Sequence, residues 1–272
     1  CKMKNRFIKH IEENSLFSKD DKLVIAISGG ADSVALACLL FHSGHNICFA
    51  HCNFNLRAGE SDLDEKFVKE LSKEFNVECF IKSFDILKYT KRNKGSIQMS
   101  ARELRYDWFE EIREESNSKY IVVAHHQDDD IETFFINLIR GTGIRGFLGM
   151  KLSNQKIIRP LLPFTRLEIE RYLTSIKQSF QIDSSNSDIK YLRNHIRKNL
   201  IPLVQEMNPS FNKVFKNETE YLNDVFKVYQ DHINFVNQEI VKLENDKVTI
   251  LKDKLFSQEN HNIILREILL PY

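Results

Sequence analysis

The stretch from Leu23 to Leu36, LVIAISGGADSVAL, decides the fold. It opens with an apolar run of strand length, and a largely apolar helix is expected to begin near Asp32. Between them, Ser28-Gly29-Gly30 lets the backbone approach a ligand closely, and the dipole of the following helix favours a bound anion. The stretch therefore predicts a strand, a phosphate-binding loop and a helix in succession.

Apolar runs of strand length recur along the chain and alternate with helical patterns. We expect further strands at Asn46–His51, Val77–Ser83 and Tyr120–Ala124, and further helices at Lys4–Phe17, Glu60–Phe75, Ser96–Glu115, Asp128–Ile139 and Arg166–Lys177. Strands separated by helices favour an α/β fold, a parallel sheet with helices on both faces, and ligands at the carboxyl ends of the strands.

A smaller, mainly helical domain is expected to follow this sheet. From about Phe211 the pattern becomes long and helical, interrupted by the β-branched run Lys247–Leu251. We place the boundary near residue 210, which gives a catalytic domain at 1–210 and a helical C-terminal domain at 211–272.

Composition limits the classes of protein that the chain can belong to. Its longest apolar stretches are far shorter than the roughly 20 residues that cross a bilayer, and its start is polar and basic without a signal-peptide core. We therefore expect a cytoplasmic protein with no membrane partner. The five cysteines are scattered and predict free thiols, and the net charge of +1 says nothing about nucleic acid.

The glycine loop differs from a Walker A loop because no G-K-[ST] follows it. It carries Asp32, whose carboxylate would repel phosphate unless Mg²⁺ lay between them. We therefore predict ATP-binding residues throughout the loop, namely Ser28, Gly29, Gly30, Ala31, Asp32 and Ser33. The alternative is an ordinary glycine-rich turn in which Asp32 or Ser33 caps the helix.

The run from His125 to Thr133, HHQDDDIET, is a second candidate for chemistry. Asp129 and Glu132 are three residues apart and share one face of the predicted helix, where two carboxylates repel unless a divalent cation joins them. With Asp32 they predict a Mg²⁺ site. Asp128 and Asp130 are expected only to complement the helix dipole, and His125 could contact a nucleotide or be an ordinary loop histidine.

Two pairs of arginines could bind phosphate. Arg102 and Arg105 are three residues apart on one predicted helix, and Arg193 and Arg197 are four apart on another, close to Lys198. Arginine suits a phosphate or the charge that develops on an adenylate, and the second pair could also contact RNA. Each pair could instead be an ordinary solvated helix surface.

These segments occur in a specific order. Between about residues 20 and 210 the chain carries SGGADS, HCNFNLR, GESDLDE, ARELRY, AHHQDDDIET, RGTGIRG, RPLL, DSSN and RNHIRKNLIP. Apart from the first, each segment alone is weak, but the ordered set is very specific. It resembles the tRNA(Ile)-lysidine synthetase family of the PP-loop ATP pyrophosphatase superfamily.

The resemblance implies roles for individual residues. ATP would lie on Ser28 to Ser33, with Mg²⁺ and phosphates managed by Asp32, Asp129 and Glu132. The site where a cytidine meets ATP and lysine would be lined by His125, Arg105, Asn186 and Arg197. Contacts to tRNA would come from Arg140 and Arg145, which flank and lie in the loop Gly141–Gly146, and from Arg193 and Lys198.

The resemblance also implies an activity. The wobble cytidine of an isoleucine tRNA with a CAU anticodon would attack ATP through its C2 oxygen, releasing pyrophosphate. The amine of L-lysine would then displace AMP, with a nearby carboxylate or His125 taking its proton. No short motif marks the lysine pocket, for which Asp62, Asp64 and Glu65 are acidic candidates, and a homodimer is left open.

Two departures from the family pattern affect these expectations. Phe54 lies where family members often have histidine, so no catalytic role is assigned there. The chain ends at Tyr272, soon after the helical region begins, so we expect it to lack the further C-terminal domain that longer members use to grip the acceptor stem. A natural short form and a truncation are both left open, and we expect 211–272 to contact tRNA.

Two alternative functions come from other classes. A PP-loop tRNA thiolase would use the same kind of adenylate but would bring paired cysteines, which the chain does not have at that spacing. A catalytically silent nucleotide-binding or RNA-binding protein would keep the fold and lose the chemistry. Against it stand the intact carboxylates Asp32, Asp129 and Glu132.

Overall fold

The computed structural model describes residues 2–55, 60–93, 96–181, 192–244 and 247–270. Its α-helices are α1 Lys2–Glu13, α2 Ala31–His42, α3 Glu60–Phe75, α4 Ile86–Asn93, α5 Ile97–Glu115, α6 Gln127–Arg140, α7 Arg166–Ser175, α8 Leu192–His195, α9 Ile201–Met207, α10 Phe211–Ile240, α11 Lys252–Phe256 and α12 His261–Leu269; Ile144–Phe147 forms a 3₁₀-helix and Ile196–Leu200 a π-helix. Its strands are β1 Lys22–Ala26, β2 Asn46–Asn53, β3 Cys79–Ser83, β4 Tyr120–Val122, β5 Ser153–Asn154, β6 Ile157–Ile158, β7 Val241–Glu244 and β8 Lys247–Ile250.

The main sheet has the strand order β3-β2-β1-β4-β6-β5. Its pairs are parallel except at the edge, where β5 runs antiparallel to β6. Ile25 of β1 pairs with Phe49 on one side and Val122 on the other. The mostly parallel sheet confirms the predicted α/β fold. It also makes β1 and β4 neighbours whose connections leave in opposite directions, which opens a crevice at their carboxyl ends.

Alternate residues of β1 face two apolar layers, as expected for a strand buried on both sides. Leu23 and Ile25 join the layer formed with α1, α2, α3 and α7, whereas Val24 joins the layer that contains Trp108 and Phe109 of α5. Full burial of side chains of this size contributes about 1.5–3 kcal/mol each. The carboxyl end of β1, where the glycine loop begins, is therefore held by packing on both faces of the sheet.

The chain divides into two compact units, Cys1–Ile136 with Gly149–Leu203 and Asn137–Leu148 with Val204–Tyr272. The second unit has its own core, in which one face of α10 packs with α11 and α12 through Ile233, Val236, Ile240, Leu255, Ile264 and Ile268. Strands β7 and β8 form an antiparallel hairpin in it. The domain boundary near residue 210 remains a proposal; the compact units separate at 203–204, and the second includes 137–148.

Several short elements have no counterpart in the sequence expectations, namely α4, α9, β5, β6 and β7. Strands β5 and β6 contain two residues each, too few for a periodic pattern, and they form only because β6 pairs with β4. Within the described ranges, we find no helix with the length and apolar content needed to traverse a bilayer.

Candidate active site

A pocket opens where β1 and β4 end side by side. Its lining includes Ile27 and Val123, which directly follow β1 and β4. Polar side chains from the segments after these two strands also line it. The predicted site residues that line it are Ser28, Asp32, Ser33, Arg105, His125 and Asp129. Residues far apart in sequence meet here because the carboxyl ends of parallel strands lie at one edge of the sheet.

The loop after β1 leaves the first turn of α2 open to an anion. Gly29 has a φ of +91°, a left-handed conformation that favours glycine, and Gly30 caps α2 without any side-chain hydrogen bond. The Ser33 hydroxyl accepts from the Ser28 amide at 3.1 Å and donates to the Gly30 carbonyl at 3.0 Å. Neither Asp32 nor Ser33 therefore caps the helix, and its dipole and leading amides are available to phosphate.

His126 lies among three carboxylates beneath this loop. The ring is buried, and its Nε2 is 3.5 Å from Asp32 Oδ1 and 3.5 Å from Asp129 Oδ2. Asp128 Oδ2 lies 3.5 Å from its Nδ1. Burial alone would lower the pKa of His126, but the surrounding carboxylates outweigh it and raise the pKa to about 10. The imidazolium thus offsets the mutual repulsion of the acidic groups.

Asp32 has the features of a magnesium ligand. Arg166 donates to its Oδ2, while its buried Oδ1 accepts no hydrogen bond from the described residues. Burial raises the pKa of Asp32, but His126, Arg166 and Arg197 together hold it below the ordinary value. Asp129, which faces the same pocket, also accepts from the His126 amide at 3.1 Å. Mg²⁺ usually binds through one or two carboxylates plus substrate phosphates, so Asp32 and Asp129 fit this ion.

Glu132 is fully buried and forms ion pairs with arginines. Both its oxygens accept from Arg197, and Arg193 Nε lies 3.6 Å from Oε2. Burial raises its pKa despite the opposing effect of Arg197. Arg197 Nη2 also lies 3.5 Å from Asp129 Oδ1, so Glu132 holds Arg197 beside Asp129. Among the described residues no three acidic, histidine or cysteine side chains form a metal-binding group, and the ligand role predicted for Glu132 would require this pair to open.

His125 lines both the first pocket and a second cavity. Arg159 Nε lies 3.2 Å from its Nδ1, which makes that nitrogen the acceptor. Burial lowers the pKa of His125, and Asp129 opposes this effect. Because Arg159, Arg102 and Arg193 lower the pKa further, it falls to about 4. The ring is therefore neutral at physiological pH. It lines the pocket, and its partner Arg159 lines the second cavity.

The mouth of the first pocket combines charge and aromatic surface. Arg105 lines it and lies 5.4 Å from the ring centre of Phe54, which stacks on Phe84. Phe54 therefore packs against the arginine. Cys52 also lines the pocket, and burial raises the pKa of its thiol to about 12, so the thiol stays protonated at neutral pH.

The other predicted residues lie outside this pocket or outside the described chain. Asn186 falls outside the described residues. Arg193 donates to Thr133 Oγ1 at 3.0 Å, and Lys198 is exposed one residue after Arg197. Arg140 is exposed at the end of α6.

Arg145 belongs to the second unit, where it pairs with Glu267 at 2.6 Å and lies 5.0 Å from the ring centre of Phe226. Glu65, a candidate for the lysine pocket, accepts hydrogen bonds from Asn53 and Lys69.

Sequence reasoning missed three residues that the structure places in the site. His126 could have been suspected because a histidine next to three aspartates is well placed to offset their charge. Arg159 belongs to the RPLL segment but received no role. Arg166, which holds Asp32, had no signal beyond its position at the start of a predicted helix.

Comparisons with known proteins agree with this geometry. A family model described as the PP-loop domain matches residues 2–204. The tRNA(Ile)-lysidine synthase of Bacteroides thetaiotaomicron is 46% identical over 252 residues, which cover 93% of this chain and 59% of that protein. The enzyme of that name from Porphyromonas gingivalis is 46% identical over 227 residues, 83% of this chain and 50% of that protein. The chain thus spans about half the length of these curated relatives.

Solved structures extend the likeness in fold alone. The U34-tRNA thiolase NcsA from Methanococcus maripaludis, solved with its 4Fe-4S cluster, superposes with a TM-score of 0.65 at 18% identity, over 80% of this chain and 79% of that one. The relatives carry the name that the ordered motifs predicted, and the family model covers the glycine loop together with residues 125–133 and 193–198. The chain therefore belongs to the PP-loop domain family.

Proposed function

We propose that the chain is the catalytic part of a tRNA(Ile)-lysidine synthetase. It would use ATP to adenylate the wobble cytidine of tRNA(Ile) with a CAU anticodon and then couple L-lysine to that cytidine. The observation that carries the proposal is the convergence of Asp32 and Asp129 on one pocket beside an uncapped, glycine-led helix N-terminus. The similarity to enzymes of this name supports the choice of substrates.

The loop from Ser28 to Ser33 would bind the phosphates of ATP through the leading amides of α2. Asp32 and Asp129 would hold Mg²⁺, which, when bound, neutralises phosphate charge and stabilises departing pyrophosphate. Arg166 and His126 keep the two carboxylates in place. These residues would accelerate the first step by position and charge, which is the main source of catalysis when phosphate groups are transferred.

Arg105 and Arg197 would stabilise charge on the reacting groups. Arg105 lines the pocket directly, and Arg197 is fixed beside Asp129 by its buried partner Glu132. In the second step the lysine amine must lose a proton before or as it attacks. Asp129, which lines the pocket, is the candidate acceptor, because the one unprotonated nitrogen of neutral His125 already accepts from Arg159.

Binding of the whole tRNA and the cellular setting are also proposals. We propose contacts to tRNA from Arg193 and Lys198 in the first unit and from Arg140 and Arg145 in the second, where Arg145 also pairs with Glu267. A cytoplasmic location follows from the proposed substrate. A homodimer is not required by any role given to the described residues.

Labelled lysine tests the proposal. The protein is incubated with ATP, Mg²⁺, labelled L-lysine and an unmodified tRNA(Ile) transcript with a CAU anticodon. We expect ATP-dependent incorporation into that transcript and none into a transcript whose anticodon cytidine is replaced by uridine. A pure, folded preparation that attaches no lysine to the CAU transcript would sink the proposal.

The thiolase alternative finds little support in the described residues. Cys38 and Cys48 are buried, and of the described cysteines Cys52 alone lines the pocket. Its raised pKa disfavours the thiolate that sulfur transfer needs. The likeness to a thiolase is one of fold, at 18% identity.

A further inference from the structure

A second cavity adjoins the proposed catalytic pocket across His125. Four cationic side chains line it from separate parts of the first unit: Arg102, Lys151, Arg159 and Arg193. Asn154 adds an amide to the lining. No role in the proposed reaction uses Arg102, Lys151 or Arg159.

The positive charge of this cavity is only partly offset. Arg159 is 8% exposed, and its guanidinium donates to the Lys151 carbonyl at 3.0 Å and contacts the His125 ring. Among the described residues no carboxylate lies within ion-pair distance of Arg102, Lys151 or Arg159. A buried cation without a counter-ion is costly, so such a cavity favours an anionic ligand.

The charge partners that do exist nearby are already engaged. Arg193 lies 3.6 Å from Glu132, but that carboxylate accepts both its hydrogen bonds from Arg197. Asp130 accepts from the Met150 amide at 2.6 Å. The four cations that line the cavity therefore outnumber the two neighbouring carboxylates, Glu132 beside Arg193 and Asp130, whose charge acts on Arg159.

We propose that this cavity binds the backbone phosphate of the RNA nucleotide whose base enters the catalytic pocket. The proposal rests on the proposed function and adds an RNA subsite to it. A nucleotide carries its base and phosphate on one ribose, so it can reach both spaces past His125, which lines each of them. Arginine forks and a lysine suit phosphate oxygens, and several cations match a phosphate chain better than a single amino-acid carboxylate.

Salt-dependent RNA binding tests the subsite with charge-matched variants. Arg102→Gln/Lys151→Gln removes two exposed cations of the cavity, and Arg171→Gln/Lys156→Gln removes two exposed cations outside it. Both pairs lower the net charge equally. The probes are a short single-stranded RNA that contains cytidine and the CAU transcript, measured by fluorescence anisotropy over a range of salt, with ATP affinity measured in parallel.

We expect the cavity pair to weaken RNA binding at least ten-fold at low salt and to reduce the slope of log affinity against log salt by about 1.4, the value for two lost contacts to single-stranded RNA. The control pair should bind RNA as the wild type does, and all variants should bind ATP alike. Equal RNA binding by the two variant pairs would overturn the subsite. Because this readout needs neither lysine nor catalysis, RNA binding through the cavity without lysine transfer would refute the proposed function alone.

Discussion

Asp32 and Asp129 face one another across His126, whose Nε2 lies 3.5 Å from a carboxylate oxygen of each. The two acids follow different strands, and only the parallel pairing of β1 with β4 brings them together. The positively charged ring offsets the repulsion between the two carboxylates in the pocket where we propose that Mg²⁺ and the phosphates of ATP bind.

Removing either carboxylate should therefore stop the chemistry without unfolding the chain. We expect Asp32→Asn and Asp129→Asn each to lower the rate of pyrophosphate release by roughly 10²–10³-fold, the size of effect seen when a preorganised electrostatic group is lost. The control is Asp107→Asn, which alters an exposed aspartate of α5 outside the pocket. Unchanged pyrophosphate release in the Asp32 variant would remove this carboxylate from the mechanism.

The buried pair of Glu132 and Arg197 should be strongly coupled. Arg197→Met leaves a buried carboxylate with only Arg193 nearby, and we expect a loss of about 2–3 kcal/mol in the free energy of unfolding. The loss in the double variant Arg197→Met/Glu132→Gln should be smaller than the sum of the two single-variant losses by about 1–2 kcal/mol. Urea unfolding measures all four proteins. Additive losses would mean that the pair does not interact.

The glycine loop should tolerate a side chain at one glycine but not at its neighbour. Gly29 has a φ of +91°, so Gly29→Ala should cost about 1–2 kcal/mol of stability. Gly30 has a φ of −72°, and an added Cβ would lie 3.5 Å from Ser28 Oγ, an ordinary contact. Gly30→Ala should change the unfolding free energy by less than about 0.5 kcal/mol. Equal losses in thermal or urea unfolding would contradict this reading of the loop.

The start of α7 should give a pH-dependent contribution to stability. Glu168 forms a capping box with Thr165 and pairs with Arg6; although burial raises its pKa, these partners hold the pKa below the ordinary value of a glutamate. A depressed pKa stabilises the fold above the unfolded value and loses that effect as the pH falls through the folded value.

We therefore expect Glu168→Gln to lose about 1 kcal/mol at pH 7, with the deficit shrinking at pH 3.5. Urea unfolding at both values measures it, with the exposed Glu12→Gln as control. A deficit that grows on acidification would show that folding raises the pKa of Glu168 and does not lower it.

Much of the fold could be predicted because its signals are local. Helix α3 spans Glu60–Phe75, as its apolar spacing predicts, and the apolar run that precedes the glycine loop forms β1, Lys22–Ala26. The sheet edge at which Asp32 and Asp129 meet followed from the alternation of strands and helices. The hairpin of β5 and β6 could not be predicted, since its stability comes from pairing with β4.

The charge partners of the site were less accessible to sequence reasoning. The contacts of Arg166 with Asp32 and of Arg159 with His125 join residues that no local pattern connects. Glu132 illustrates the same limit. Helical spacing placed it beside Asp129, but its hydrogen bonds with Arg197 depend on the packing of a distant segment and could not be predicted. Local patterns predict which face a side chain occupies, whereas its counter-ion depends on the packing of distant elements.

The products formed from α-labelled ATP test the central claim most directly. With Mg²⁺ and the CAU transcript, and without lysine, the wild-type chain should cleave ATP between the α and β phosphates and transfer the labelled AMP group to the tRNA. Asp32→Asn should leave the label in ATP. Formation of ADP, or no cleavage by the folded wild-type protein, would contradict the account.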